Sequence, residues 1–431
     1  MLAASIGPAA EIDRAISPLM TRAAPNMTRV RVLQRTRVDP ETDLVVAFGA
    51  PKNYALGTGD GDWWSSKTAL GLFLQRRDKP DLVYQISVGT GLGEGDCFAR
   101  VERATATGVV ISCTPEKGSH GPNRKFIYDL RAKALVKQID YDPFAMNRVF
   151  VSGDRAVLVG SDFTRLIALE FNPANSPEFR VLQGAEEERW KARVRTSEST
   201  IGAGAALRKE VYVEPEQFKP VSFGPGNRFT LTQNDKAVLH VLERTGQRTK
   251  RHELPPSSYD EFAAARPGHV KDGYSRRFTQ LGGAIGPWQI DGESLWFGKS
   301  FYDGEGMTGI GGFGYFDGAS AQFRLFSPPA IADSSVTAIL VEPGAVWLAL
   351  AHRGEWGGTA QGLLRFDRAT EKVKKIELRD IAGQFARVAG RLLIATQFGA
   401  AVLEEDGKLR RFFVDRTAGG RWRVVEAIHG Q

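Results

Sequence analysis

Residues 336–350 read VTAILVEPGAVWLAL, and this stretch, continued to Leu378, decides the fold. Val336–Val341 is β-branched and apolar, Glu342-Pro343-Gly344-Ala345 is a tight-turn signal, and a second apolar run carries Trp347. After a polar stretch comes GLLRFD at 362–367, then Arg368-Ala369-Thr370-Glu371, then KVKKIEL at 372–378. Short β-rich runs separated by Gly, Pro and Asp turns spell strand, turn, strand, loop, strand, turn, strand.

The same phrase recurs along the chain. SLWFG (294–298), GYFD (314–317) and QFRLF (322–326) form one copy, and RLLIAT (391–396), GAAVLE (399–404) and LRRFF (409–413) another. Looser copies pair KFIYD (125–129) with ALVKQ (134–138), LIALE (166–170) with FRVL (179–182), and VLHVLE (238–243) with RTKR (248–251). An acidic residue closes the third strand at Asp129, Glu170, Glu243, Asp317, Asp367 and Glu404, and Gln75 holds that place in a degenerate copy. Four-stranded units of this size cannot bury both faces alone, but units packed about an axis can. The expected fold is all-β, a seven-bladed β-propeller of four-stranded antiparallel blades with its insertions on one face. Residues 1–27 are read as an N-terminal extension and 28–431 as a single propeller domain.

The copies around Trp296 and Trp347 resemble two-component-regulator-type propeller repeats, with Trp on the second strand and Gly-Leu-x-x-aromatic-Asp on the third. The resemblance is best over the last third of the chain. It implies the fold and a sensing or binding role; the family's downstream signalling modules are not seen here, so signalling is not implied. Trp296 and Trp347 are expected in the core, and the repeated acid is expected to cap the turn between third and fourth strands.

The composition is that of an ordinary globular chain, 42% hydrophobic and 25% charged, with 47 glycines and a net charge of +7. The cationic clusters Lys250–His252, Lys372–Lys375 and Lys408–Arg411 all fall on fourth strands, where they would guard exposed sheet edges. Spread around a rim, they make no groove for nucleic acid. No apolar run is long enough for a membrane-spanning helix. The opening Leu2-Ala3-Ala4-Ser5 resembles the tail of a cleaved export signal, which favours a periplasmic or secreted protein, with the cytoplasm as the alternative.

The stretches that depart from the repeat are 51–67, 114–124, 299–313 and 351–361 between second and third strands, and the connections 184–217 and 255–284 between blades. All belong to one face, whereas turns on the other are short. Function in repeat proteins concentrates on such loops. The candidate ligand-binding residues are Trp63, Trp64, Lys67, His120, Lys299, Tyr302, Asp303, His352, Arg353 and Trp356. This mixture of cations and aromatics suits a small anionic or sugar-like ligand, or a protein partner. The reading is a monomeric, non-enzymatic binding protein. The alternative is a propeller lyase or hydrolase acting on a glycan or secreted metabolite, with Tyr302 and His352 in acid–base roles.

No metal or cofactor is expected: Asp60-Gly61-Asp62 lacks the further ligands of a calcium loop, the histidines lack metal spacing, and the Gly-rich 87–95 is followed by no helix. Catalytic nucleophile and phosphate-loop motifs are also missing. Glu186–Lys191 reads as a short charged helix or a solvated excursion. Cys97 and Cys113 flank a hairpin; if Val101 faces Val109 they face each other, close to disulfide geometry. Finally, 421–428 supplies one strand more than the repeats need, and is expected to clasp the first strand, 29–33.

Overall fold

The computed structural model describes residues 16–428 except 23–25, 40, 54–60, 65–68, 77–78, 88–96, 106, 116–123, 131, 133, 141–147, 162–165, 176, 199–219, 234–238, 255–256, 259–279, 303–306, 332–333, 355–356, 398 and 417–421. The chain divides into two compact units. Unit 1 comprises residues 1–142, 179–181 and 398–431, and unit 2 comprises 143–178 and 182–397.

Unit 1 opens with α1 (residues 16–22), followed by the meander β1 (Arg29–Asp39), β2 (Thr42–Ala50), β4 (Ala69–Arg76) and β5 (Lys79–Ser87). Between β2 and β4 the short β3 (Gly61–Trp64) leaves this sheet and pairs with β6. The second meander is β6 (Cys97–Ala104), β7 (Gly108–Pro115), β8 (Arg124–Asp129) and β9 (Ala134–Asp140). Leu33, Leu44, Val46, Phe48 and Leu72 of the first pack against Val101, Val109, Ile111 and Phe126 of the second. The segment read as an extension joins this unit: Ile16 and Met20 of α1 are buried against Val45, Ala47 and Phe73.

Unit 2 begins with β10 (Arg148–Ser152), β11 (Arg155–Ser161) and β12 (Leu166–Phe171). β13 (Phe179–Val181) belongs to unit 1, where Phe179 packs on Phe412 at 4.4 Å. The charged stretch after it is helical, α2 (Ala185–Glu198), with three glutamates in its positively polarised first turn. Trp190 anchors α2 on Phe150, with Arg193 lying over both rings. There follow β14 (Val221–Phe223), β15 (Phe229–Gln233), β16 (Leu239–Thr245) and β17 (Arg248–His252) as one meander. β18 (Ser257–Ser258) edges the next: β19 (Gln280–Asp291), β20 (Ser294–Tyr302), β21 (Met307–Asp317) and β22 (Gln322–Phe326). The fourth is β23 (Ser335–Val341), β24 (Ala345–Gly354), β25 (Gly357–Asp367) and β26 (Val373–Ile376). The hairpin β27 (Ala382–Val388) and β28 (Arg391–Thr396) ends the unit. Back in unit 1, β29 (Gly399–Leu403), β30 (Leu409–Arg416) and β31 (Trp422–Ile428) pair in sequence.

Meanders stack face to face, so their inner strands are buried on both sides and read as continuous apolar runs. In β24 every residue from Ala345 to Ala351 is buried. Phe313 and Phe326 meet Phe366 of the next meander at 5.1 and 4.8 Å. First strands are tied to one another by side chains that take up backbone groups outside the ladders. Gln289 Oε1 accepts from Val341 N (2.9 Å), Thr337 Oγ1 donates to Ala382 O (2.6 Å), and Gln384 Oε1 accepts from Val149 N (2.9 Å).

The glycine within the third strand has a packing cause. A Cβ on Gly314 would stand 2.3 Å from Arg324 O, and one on Gly362, at φ 86°, 2.5 Å from Ile376 O. The fourth strand's carbonyl occupies the space of a side chain.

Three expectations are corrected. The strand holding Cys97 runs on to Ala104, with a bulge at Glu102, so Cys97 pairs with Pro115 and Cys113 with Ala99. The two cysteines are thus diagonal neighbours in the ladder and not directly opposite. The segments 299–313 and 351–361 are not open loops but lengthened hairpin arms, paired out to Tyr302↔Met307 and Gly354↔Gly357. The cluster Lys408–Arg411 is not an open edge, because β31 covers β30 and Arg411 is 2% exposed. The expected meeting of the terminal strands is observed: β31 pairs with β1 through Arg35↔Ile428 and Thr36↔Ala427. β1 sits inside the continuous sheet β29-β30-β31-β1-β2-β4-β5.

Candidate functional site

Each meander of unit 2 has one end where the first strand begins, the second finishes and the third starts. The buried polar side chains of the unit gather at this end. Lys299 lies near the end of β20, opposite Ile285 and Gly312, and is 2% exposed. Ser334, Ser335 and Thr337 occupy the start of β23, Asp380 precedes β27, and Thr396 and Gln397 finish β28. His240, opposite Thr232, holds the like place in the β14–β17 meander. The half-buried His352 stands opposite Thr359 at the end of β24. Toward the opposite end the buried polar residues are Asn172, Thr230 and Glu243.

Local hydrogen bonds hold this end in shape. Besides the Thr337–Ala382 bond, Gln397 N donates to Ile381 O at 2.9 Å and Ser334 N to Ile331 O at 3.2 Å. Lys299, Asp380, Ser335, Thr396 and His352 are each engaged with neighbours. Burying an ammonium or a carboxylate in a β-core costs several kcal/mol per ion before compensation, so apolar residues at such positions would serve folding as well or better. A polar, preformed end of this kind can orient hydroxyl and carboxylate groups of a ligand.

Of the residues named from sequence, Lys299, Tyr302, His352 and Arg353 fall on the same ends of β20 and β24. Trp63 and Trp64 lie in unit 1, in β3, paired with Phe98 and Cys97. Lys67, His120, Asp303 and Trp356 lie outside the described residues. The sequence reading missed Ser334, Ser335, Thr337, Asp380, Thr396 and Gln397. Polar residues at the head of an otherwise apolar first strand, as in Ser334-Ser335-Val336-Thr337, were the available signal.

The short-turn end is charged but mutually paired. Glu342 accepts from Arg387 through both oxygens (2.8 and 2.7 Å) and from Trp347 Nε1 (2.9 Å); these bonds, led by Arg387, lower its pKa. Asp291 holds Arg368 at 2.8 Å, and that guanidinium lies 5.3 Å over Trp296. Glu243 is gripped by Arg228 and by His252 Nε2 (2.8 Å), and its pKa is lowered chiefly by the Arg228 bond. Among the described residues no group of three or more His, Cys, Asp or Glu could hold a metal ion. No described helix is long and apolar enough to cross a membrane.

Trp296 and Trp347 are buried, as expected of blade cores. All seven third-strand positions read from sequence lie in, or immediately after, the third strand of a meander. The chain is built of β-propeller blades.

No family model matches it, and no curated protein does. Solved structures similar to it include the extracellular domain of the putative one component system BT4673 from B. thetaiotaomicron (10% identity, TM-score 0.24, 91% of this chain and 43% of that one). The β-propeller domain of Myceliophteria thermophila Cps50 (Swd1) is similar at 8% identity and TM-score 0.27, over 74% and 93% of the two chains. The Dos1 propeller is similar at 9% and 0.25, over 93% and 94%. This chain spans less than half the length of the BT4673 domain.

Proposed function

We propose that this protein is a non-enzymatic, exported binding module that takes a small anionic or sugar-like ligand at the polar end of unit 2. The observation that carries this reading is that Lys299, Asp380 and the hydroxyl-bearing Ser334, Ser335, Thr337 and Thr396 are buried at that end of their meanders, outnumbering Asn172, Thr230 and Glu243 toward the other. Tyr302, His352 and Arg353 rim the same strand ends. A carboxylated sugar fits the set best, because its charge suits Lys299 and Arg353 while its hydroxyls suit the remaining groups.

The test is a thermal-shift panel of neutral sugars, uronic acids and dicarboxylates on the full chain. A ligand that binds only the folded state raises the melting temperature with concentration. The expected result is stabilisation by uronic acids, lost in Arg353→Ala and in Lys299→Met. Flat melting curves across the panel would overturn the reading.

A further inference from the structure

Two fourth strands of this chain have the same chemistry but different surroundings. β30 carries Arg410 and Arg411, and β31 lies along its outer edge. Arg410 forks onto Glu426 of β31, Nε to Oε1 at 3.0 Å and Nη2 to Oε2 at 3.2 Å, and Nη1 donates to Glu404 of β29's turn at 3.1 Å. Glu426 is opposite Phe412, two residues from Arg410, so the bond is a diagonal cross-strand pair on one face. The chain thus completes a cationic fourth strand with a fifth strand that brings a carboxylate.

β17 is the counterpart that lacks its fifth strand. It ends its sheet, and among the described residues nothing pairs with its outer edge. Arg248, Thr249, Lys250 and Arg251 are all exposed. The third-strand acid, Glu243, corresponds to Glu404, but Arg228 and His252 use it fully. Arg251 is held by Glu253 at 2.9 Å. That leaves Arg248 and Lys250, which alternate on one face of the strand, with no carboxylate partner among the described residues. An open ladder edge offers a row of backbone donors and acceptors, and a strand laid on it must place its alternate side chains against those cations.

We propose that the outer edge of β17 docks an extended acidic segment of a partner protein, which adds as a fifth strand with carboxylates at alternate positions. This surface is separate from the polar end of unit 2, so either can fail without the other.

The experiment uses the full chain and two capped peptides, TEVEVET and TKVKVKT, with amide hydrogen exchange and binding isotherms at low salt. TEVEVET is expected to slow exchange in residues 248–252, and TKVKVKT is not. Arg248→Glu combined with Lys250→Glu should weaken TEVEVET by about tenfold, from two exposed ion pairs, and should turn the preference toward TKVKVKT. If the double variant folds poorly, Lys250→Gln alone should weaken TEVEVET by about threefold. Equal affinity for both peptides, unchanged exchange at 248–252, or protection appearing elsewhere would each overturn the proposal.

Discussion

Trp296 and Trp347 hold equivalent places on β20 and β24, yet only one indole is satisfied. Trp347 Nε1 donates to Glu342, five residues upstream. The residue five before Trp296 is Asp291, one methylene shorter and bound to Arg368, and the buried Trp296 Nε1 has no acceptor. A buried unpaired donor costs about 1–3 kcal/mol. Asp291→Glu should therefore raise stability by about 1 kcal/mol, read as a higher urea midpoint at unchanged slope. An unchanged midpoint would show that the longer side chain does not reach the indole. Glu243 makes a pH prediction. Hydrogen bonds from Arg228 and then His252 to its charged form hold its carboxyl below the ordinary glutamate range when folded. A group with a depressed folded pKa contributes stability that is complete above the unfolded pKa and is lost as pH falls through the folded one. Acid unfolding should accordingly steepen below the unfolded glutamate pKa of about 4.3, and Glu243→Gln should flatten that limb. Identical pH profiles for the two proteins would refute the assignment.

At the level of elements, the repeated acid divides by length. Asp129, Asp317 and Asp367 fold back to accept from backbone N–H groups of their own turns, Ala132, Ala319 and Thr370 respectively. Glu170, Glu243 and Glu404 reach sideways to Arg155, Arg228 and Arg410. Capping was legible in the sequence for aspartate, whose carboxylate is short enough to mimic a turn; the lateral role of glutamate depends on which arginine stands across the ladder. The cysteine register failed for a related reason. Alternation fixes which face a residue takes, but a single bulge slides the pairing without disturbing that alternation. The extra C-terminal strand, in contrast, was visible as a β-rich run in excess of the repeat. β31 pairs along both edges, so removing residues 417–431 should expose β30 and β1 together and lower the melting temperature markedly. A melting curve indistinguishable from that of the full chain would sink the clasp.

For the molecule as a whole, the blade was readable and the neighbours of each blade were not. Strand runs, turns and the third-strand glycine are local signals, whereas the order of blades depends on contacts between residues far apart in sequence. Likewise the strand-end positions Lys299, Tyr302, His352 and Arg353 stand out in departures from the repeat, whereas Asp380 and Thr337 lie within it and are marked only by burial. Within unit 2 the backbone of β10 is taken by β27, through Val149 and Gln384, and Arg391 at the head of β28 binds Glu178 at 3.0 Å. These ties lie wholly within unit 2 and are 235 and 213 residues apart in sequence. They can be tested by trapping. With Val149→Cys and Gln384→Cys in one chain, a short bismaleimide should join the two positions, and digestion should yield the linked peptide by mass. Either cysteine alone should give no such product. Failure of the linker to bridge 149 and 384 in the double variant would refute the tie between β10 and β27.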